Sequence, residues 1–377
     1  MSPIVFDLHH GGRTTEAFGR HCQYLLRTKF DEKTNIPKTK FPLTLRAEAR
    51  QIVNMAHSAF GNRGELELDD HLHNILRKLD ELSSGQLTPE QAQELREAFE
   101  PLGKRLETGR LPCLTEPVCF VDSDGVIGFW SFPNAIQRKR QDILLNAVQQ
   151  LSRSSGLDRV DNGPHRFFHH RENALGSGEA ELALCTVPDG AKVPTLSQTL
   201  LGQKRATYIG FLEEIEESFA VLGGILAVTH PWLFDAALAV LSSMEEGKID
   251  ISQPENLHQV LTFWSAPFTK FKVVTNRETV LQRNLNSPPW TYDLVWTGGT
   301  LSNGRFECPS LGYRFINDPG TVFVGLLGIL EHGIALGKSE QVQFFASFEE
   351  SILKHVPQHY IPKAPTVDLW RGYWYHK

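Results

Sequence analysis

Gln282, Arg283 and Asn284 occupy the stretch VLQRNLNSPPWTYDL, between two strand-like runs, and His332 follows in GILEHGIAL near the end of a long apolar run. This is where a non-haem iron centre would be built. Such a centre takes two histidines and one carboxylate on one face of the metal, two of them as H-x-D on a turn and the third on a later strand. Here the turn offers two amides flanking an arginine. A carboxamide oxygen carries no full charge, and neither amide replaces imidazole as a nitrogen donor. His332 taken alone reads first as a packed or hydrogen-bonded histidine at a strand end. Three readings stay open from these residues: a metal site, the remains of one, or a polar loop.

Other groupings are weaker. His170-Arg171-Glu172 reproduces an H-x-E spacing inside FFHHRE, in a loop-like segment that reads as solvated. Asp69, Asp70, His71 and His73 fall on a helical pattern, where Asp69 and His73 share a face and read as a surface charge pair. No phosphate-binding glycine loop with its lysine, no G-x-S-x-G elbow and no Cys/His nucleophile pair is present. The cysteines (Cys22, Cys113, Cys119, Cys185 and Cys308) are odd in number and scattered, so buried free thiols are expected rather than a disulfide framework or a zinc knuckle.

The elements that must position these residues fall into two textures. TLRAEARQIVNMAHSAF (44–60), LDDHLHNILRKLDEL (68–82) and TPEQAQELREAFEPLGKRL (88–106) repeat apolar residues at helical intervals, the last behind an N-cap threonine and a first-turn proline. ETGRLPC (107–113) breaks the pattern and marks the main boundary. VCFVDSDGVIGFWSFP reads as a hairpin turning at Asp124-Gly125, and QRKRQDILLNAVQQLSR as an amphipathic helix. Residues 208–246 give two helices broken at His230-Pro231, because a residue before proline is pushed out of the α region. From 268 onward the chain is strand-rich, with segments 268–279, 291–299, 304–316, 320–334 and 340–352 punctuated by Gly, Pro and Asn. That spacing points to a sandwich, barrel or jelly roll.

The run FTKFKVVTNRETVLQRNLNSPPWTYDLVWTGGTLSNGRFECPSLGYRFINDPGTVFVGLLGILEHGI resembles the core of the TET/JBP oxygenases, most closely their fungal branch. There a strand ending in NRET leads into H-R-D, a PPWYDL-like segment, a PGLGLRF-like hairpin, PGTVV and a final RHG. FLEEIEESFAVLGGILAVTHPWLFDAALAVL is similar to the helix pair before that core. The resemblance covers roughly residues 115 to 355 and implies a double-stranded β-helix that binds iron(II) and 2-oxoglutarate, flips a methylated base out of nucleic acid and oxidises its methyl group. The functional positions depart from it. Gln282 stands at the first histidine, Asn284 at the aspartate, and only His332 keeps its type. Matching KSEQVQFF to the later strand puts Gln341 where an arginine pairs with the 2-oxoglutarate carboxylate, with Lys338 as a cation nearby. Asn276, Arg277 and Arg283 are the candidates for contact with substrate or nucleic acid.

The expected fold is therefore α+β, a double-stranded β-helix (jelly-roll) core with flanking helices. Its expected organisation is an N-terminal helical region (1–112), an oxygenase-fold domain (113–357) and an aromatic, basic tail (358–377). The expected function is that of a pseudoenzyme binding DNA or a chromatin protein. The alternative is an active dioxygenase for 5-methylcytosine in DNA, with iron(II) and 2-oxoglutarate as its cofactors, either with an unusual metal shell or represented here by an engineered inactive variant. A net charge of −6 and a pI near 6.2 exclude bulk electrostatic coating of nucleic acid, although a local basic groove can survive on an acidic body. With 41% hydrophobic and 22% charged residues, no membrane-length apolar run and no signal-peptide pattern, an intracellular protein is expected, nucleus included.

Overall fold

The computed structural model describes residues 8–30, 43–66, 72, 74–75, 111–158, 166–168, 175–187, 193–284, 287–300, 303–335, 340–353, 355 and 364–375. The helices are α1 (His10–Phe30), α2 (Leu43–Gly61), α3 (Arg138–Arg153), α4 (Gln198–Leu201), α5 (Arg205–Glu214), α6 (Glu216–Thr229), α7 (Pro231–Glu245), α8 (Pro254–Phe263), α9 (Glu350–Leu353) and α10 (Val367–Tyr375). The first strands are β1 (Arg63–Glu65), β2 (Cys113–Leu114), β3 (Val118–Val121), β4 (Ile127–Phe132), β5 (Arg166–Phe168), β6 (Gly178–Ala183), β7 (Cys185–Thr186) and β8 (Thr195–Leu196). Then come β9 (Lys270–Thr275), β10 (Arg277–Gln282), β11 (Asp293–Gly299), β12 (Arg305–Cys308), β13 (Tyr313–Ile316), β14 (Val322–Gly325), β15 (His332–Ala335) and β16 (Gln341–Ser347).

Among the described residues an eight-stranded sheet, ordered β1-β3-β4-β14-β11-β16-β9-β6, faces a six-stranded one, ordered β2-β13-β12-β15-β10-β5. This is the double-stranded β-helix, with helices outside it. Strand alternation makes the layers. The outer face of the large sheet carries Phe271, whose ring stacks on Phe219 of α6 at 3.9 Å. The inner face carries Phe323, stacked at 4.2 Å on Phe306 of the small sheet.

Helix α6 is buried from Ser218 through Thr229 because α1 covers the side the sheet leaves open. Close approach requires small residues there: a Cβ on Gly224 would stand 2.4 Å from the Phe18 ring. The break at His230 is as expected. The ring Nδ1 of His230 accepts the Leu233 N–H at 3.2 Å and so caps α7. A further break at Ile215 separates α5 from α6 and has no proline to signal it. Helix α10 packs inward, with Trp370 Nε1 donating to the Val228 carbonyl at 2.7 Å and its ring on Phe60 at 4.3 Å.

Two strand expectations are corrected. Residues 268–279 do not form one strand, because Asn276 adopts φ +51° and turns the chain from β9 in the large sheet to β10 in the small one. Residues 320–334 are also not one strand: β14 ends at Gly325, Leu326 accepts backbone N–H groups from Ile329 and Leu330 in a turn, and His332 opens β15 rather than closing a strand. The Asp124-Gly125 hairpin is present, with Gly125 at φ +79° and the Asp122 carboxylate accepting the N–H groups of Asp124 and Val126. The helical patterns at 68–82 and 88–106 lie almost wholly outside the described residues, as do His170, Arg171, Glu172, Asp69, Asp70, His71, His73 and Lys338. All five cysteines are free thiols, buried except for half-buried Cys113.

Candidate functional site

A cavity of about 360 Å³ opens between the two sheets at the His332 end, and Gln282, Arg283, Asn284 and Arg277 line it with His332. Local structure explains how they meet. Thr279 pairs with Ile334 but Gln282 pairs with His332, so β10 carries one extra residue between these pairs. Such a bulge reverses the side-chain alternation and turns Gln282, in place of Leu281, onto the His332 side.

His332 is buried. Its Nδ1 lies 2.9 Å from the Leu330 carbonyl, so that nitrogen carries the proton and Nε2 keeps its lone pair. Burial, reinforced by Arg277, lowers its pKa to about 4, and the ring stacks on Phe306 at 5.4 Å. This is a neutral imidazole throughout the physiological range.

The Asn284 amide nitrogen is engaged in hydrogen bonds of its own. Nδ2 donates to Ser287 Oγ and to Asp293 Oδ2, both at 2.7 Å. Asp293 opens β11, is fully buried and has no partner for Oδ1 among the described residues. Burial raises its pKa to about 7, against the lowering effect of hydrogen bonds from Ser287 and Asn284.

Charged side chains on the opposite wall come in pairs. Lys272 Nζ stands 2.8 Å from Glu179, and Arg277 Nη1 3.4 Å from the other oxygen of the same carboxylate. Lys270 reaches Glu181 at 2.8 Å and Glu349 at 3.1 Å. Burial would lower the Lys270 pKa, but these carboxylates carry it above its ordinary value. The Arg277 guanidinium also lies 5.2 Å from the centre of the Phe345 ring. Arg283 is half-buried, its pKa lowered by burial and held up in part by Glu331.

The remaining expected site residues are elsewhere. Gln341 is buried at the far end of β16, where its Nε2 donates to the Asn317 carbonyl at 3.3 Å. Asn276 is buried at the β9–β10 corner, its Oδ1 accepting the Gln341 N–H at 3.0 Å and its Nδ2 donating to the Leu175 carbonyl at 2.8 Å. It holds backbone rather than facing the cavity. Two cations away from the cavity are already paired: Arg140 is buried between Glu48 (2.8 Å) and Glu217 (2.9 Å), and Lys204 pairs with Asp158 at 2.7 Å.

Lys270, Lys272, Glu179, Glu181, Asp293 and Phe345 were not singled out from sequence. The alternation in FTKFKVVT does place Lys270 and Lys272 on one face, but a charged face of a strand ordinarily reads as solvent.

Residues 183–350 match the Tet_JBP family model, the oxygenase domain of the 2OGFeDO superfamily. The Tet_JBP match runs from the end of β6 to the start of α9 and so includes every residue of the His332, Gln282 and Asn284 constellation. Similar solved structures include NgTET1 in complex with 5mC DNA (11% identity, 74% of this chain and 90% of that one, TM-score 0.43). Another is JOX2 in complex with 2OG, Fe and JA (11% identity, 82% and 94%, TM-score 0.30). A third is a Caulobacter crescentus protein described as a 2OG-Fe(II) oxygenase family member (11% identity, 82% and 96%, TM-score 0.25). No curated protein matches the chain. Among the described residues no helix is long and apolar enough to cross a membrane.

The superfamily implies iron and 2-oxoglutarate, and the side chains present do not fit them. His332 offers one good nitrogen donor. Beside it stand two neutral amides, and among the described residues no three His, Cys, Asp or Glu side chains group to hold a metal. Gln341, expected from sequence at the cosubstrate position, supplies no charge and is bonded to backbone.

Proposed function

We propose that this chain is a TET/JBP-like oxygenase-fold protein that binds rather than oxidises, a non-catalytic module with DNA or a chromatin protein as its partner. The observation that carries the reading is the Asn284 amide. At the position where the resemblance calls for an ionised carboxylate, a neutral side chain spends its hydrogens on Ser287 and Asp293. Gln282 brings a second neutral amide where imidazole is called for. The motif order that gave the fungal-branch resemblance supports the choice of a nuclear, nucleic-acid partner.

The test is incubation with iron(II), 2-oxoglutarate and DNA containing 5-methylcytosine, with succinate and oxidised bases measured by mass spectrometry. Neither should rise above a His332→Ala control, while DNA binding followed by fluorescence anisotropy should persist without iron. Succinate that forms and disappears with His332→Ala would overturn the reading.

One observation favours the second reading, an active dioxygenase with an unusual metal shell. Nδ1 of His332 is bound to a carbonyl, which leaves Nε2 the nitrogen able to ligate a metal. The same succinate measurement separates the two.

A further inference from the structure

Strand register sorts the interior of the β-helix into rows. Phe323, Val295, Phe345, Lys272 and Glu181 stand in line across β14, β11, β16, β9 and β6, and three of them reach the cavity. The next row, away from Asp293, is Thr321, Thr297, Gln343 and Val274. Residues two apart on a strand share a face, so Gln343 and Gln341 follow Phe345 on the interior side. Asn317, just after β13, closes this end: its Oδ1 accepts from Thr297 Oγ1 at 2.5 Å, and its carbonyl from Gln341 Nε2 at 3.3 Å.

All five polar residues of this end (Thr297, Asn317, Thr321, Gln341 and Gln343) are at most 1% exposed. Even so, Gln343 Oε1 and Nε2, Gln341 Oε1, Asn317 Nδ2 and Thr321 Oγ1 find no partner among the described residues. Native interiors leave few such atoms, and a group of them in one place marks a guest that satisfies them. The set mixes amide donors with amide and hydroxyl acceptors, and none of these five side chains is charged. The wall beside it is charge-balanced, since Lys270, Lys272 and Arg277 are set against Glu179, Glu181 and Glu349.

We propose that Thr297, Asn317, Thr321, Gln341 and Gln343 form a binding compartment for an uncharged hydrogen-bonding group. That group is ordered water or the carboxamide end of a ligand entering past Phe345, and not a carboxylate. The proposal rests on the reading that the cavity binds rather than oxidises, and it names the chemistry of what is bound at the interior end. Among the described residues a carboxylate placed there would meet amide donors but no cation, and its charge would be buried unpaired.

The experiment is NMR of the side-chain amide groups of Asn317, Gln341 and Gln343 in the full chain, with glutaramide and glutarate as probes of equal carbon length. Rotating-frame contacts from these NH₂ groups to long-lived water establish the water arm. Saturable shifts with glutaramide, lost in Gln343→Leu, establish the ligand arm. Thr321→Val, a smaller change, serves if Gln343→Leu does not fold. Shifts as large with glutarate or 2-oxoglutarate as with glutaramide would overturn the proposal, as would amide groups that show neither water contact nor a response to glutaramide. Bound 2-oxoglutarate without succinate production defeats this inference alone. Succinate production defeats the reading beneath it.

Discussion

Asn284 Nδ2 lies 2.7 Å from Asp293 Oδ2, so this amide is a hydrogen-bond donor to a buried carboxyl group. Restoring a carboxylate at 284 sets two acceptors against each other. Asn284→Asp is expected to destabilise the fold by about 1–3 kcal/mol, more at pH 8 than at pH 6, since two adjacent carboxyls ionise together only at a cost. The double change Gln282→His/Asn284→Asp adds a nitrogen donor opposite His332. It is expected to create manganese(II) binding, read by calorimetry, that the unchanged chain lacks. Equal manganese affinity in the unchanged and doubly changed chains would contradict the assignment of a lost site.

Asp293 sets an alkaline trend. Its carboxyl titrates at about 7 in the fold against 3.8 without it, because burial disfavours the charge. The folded state therefore holds the proton more tightly. The penalty is absent below pH 3.8, grows as pH rises, and is complete above about 7, reaching on the order of 4 kcal/mol. Asp293→Asn is expected to flatten urea stability between pH 5 and 8. A pH slope unchanged in that variant would place the titration elsewhere.

His230 sets the opposite, acidic trend. It is fully buried, and burial lowers its pKa from 6.5 to about 3. Its contribution is intact above pH 6.5 and is lost as pH falls toward 3, where the unfolded chain takes up the proton and the folded one resists. Because Nδ1 caps α7, His230→Asn keeps an N-cap acceptor while removing the titration. The variant is expected to lose some stability at pH 7 from lost packing, yet to show a shallower decline between pH 6.5 and 4 in thermal unfolding. His332, lowered to about 4, adds to the same limb, so the slope should fall without vanishing.

The fold could be read from the order of its elements because alternation and turn chemistry are local. FKVV, DLVWTGG and GRFEC name their strands, and Asp124-Gly125 names its hairpin. What could not be read depends on partners distant in sequence. The bulge before Gln282 exists only against β15, and the inward face of Lys270 and Lys272 only because Glu179, Glu181 and Glu349 arrive from other strands. For the same reason a basic helix start hid a buried arginine: Glu48 and Glu217, which neutralise Arg140, lie far along the chain. Asn276 is the sharpest case, because its neighbours suggested a ligand contact while its backbone angle gives it a different task.

That task predicts a separation of stability from binding at Asn276. The residue holds φ +51°, a region costly for most side chains, and its amide ties both Gln341 and Leu175. Asn276→Ala loses two buried hydrogen bonds and strains the corner, and is expected to cost about 2–4 kcal/mol in urea unfolding. Asn276→Gly relieves the strain but not the lost bonds, and should cost less, about 1–2 kcal/mol. Arg277, the next residue, reaches the cavity, so Arg277→Gln should change ligand or DNA affinity in a way Asn276→Gly does not. If Asn276→Gly instead weakened DNA binding while leaving the unfolding curve in place, Asn276 would be a contact residue after all. The buried corner would then have to open when the partner binds.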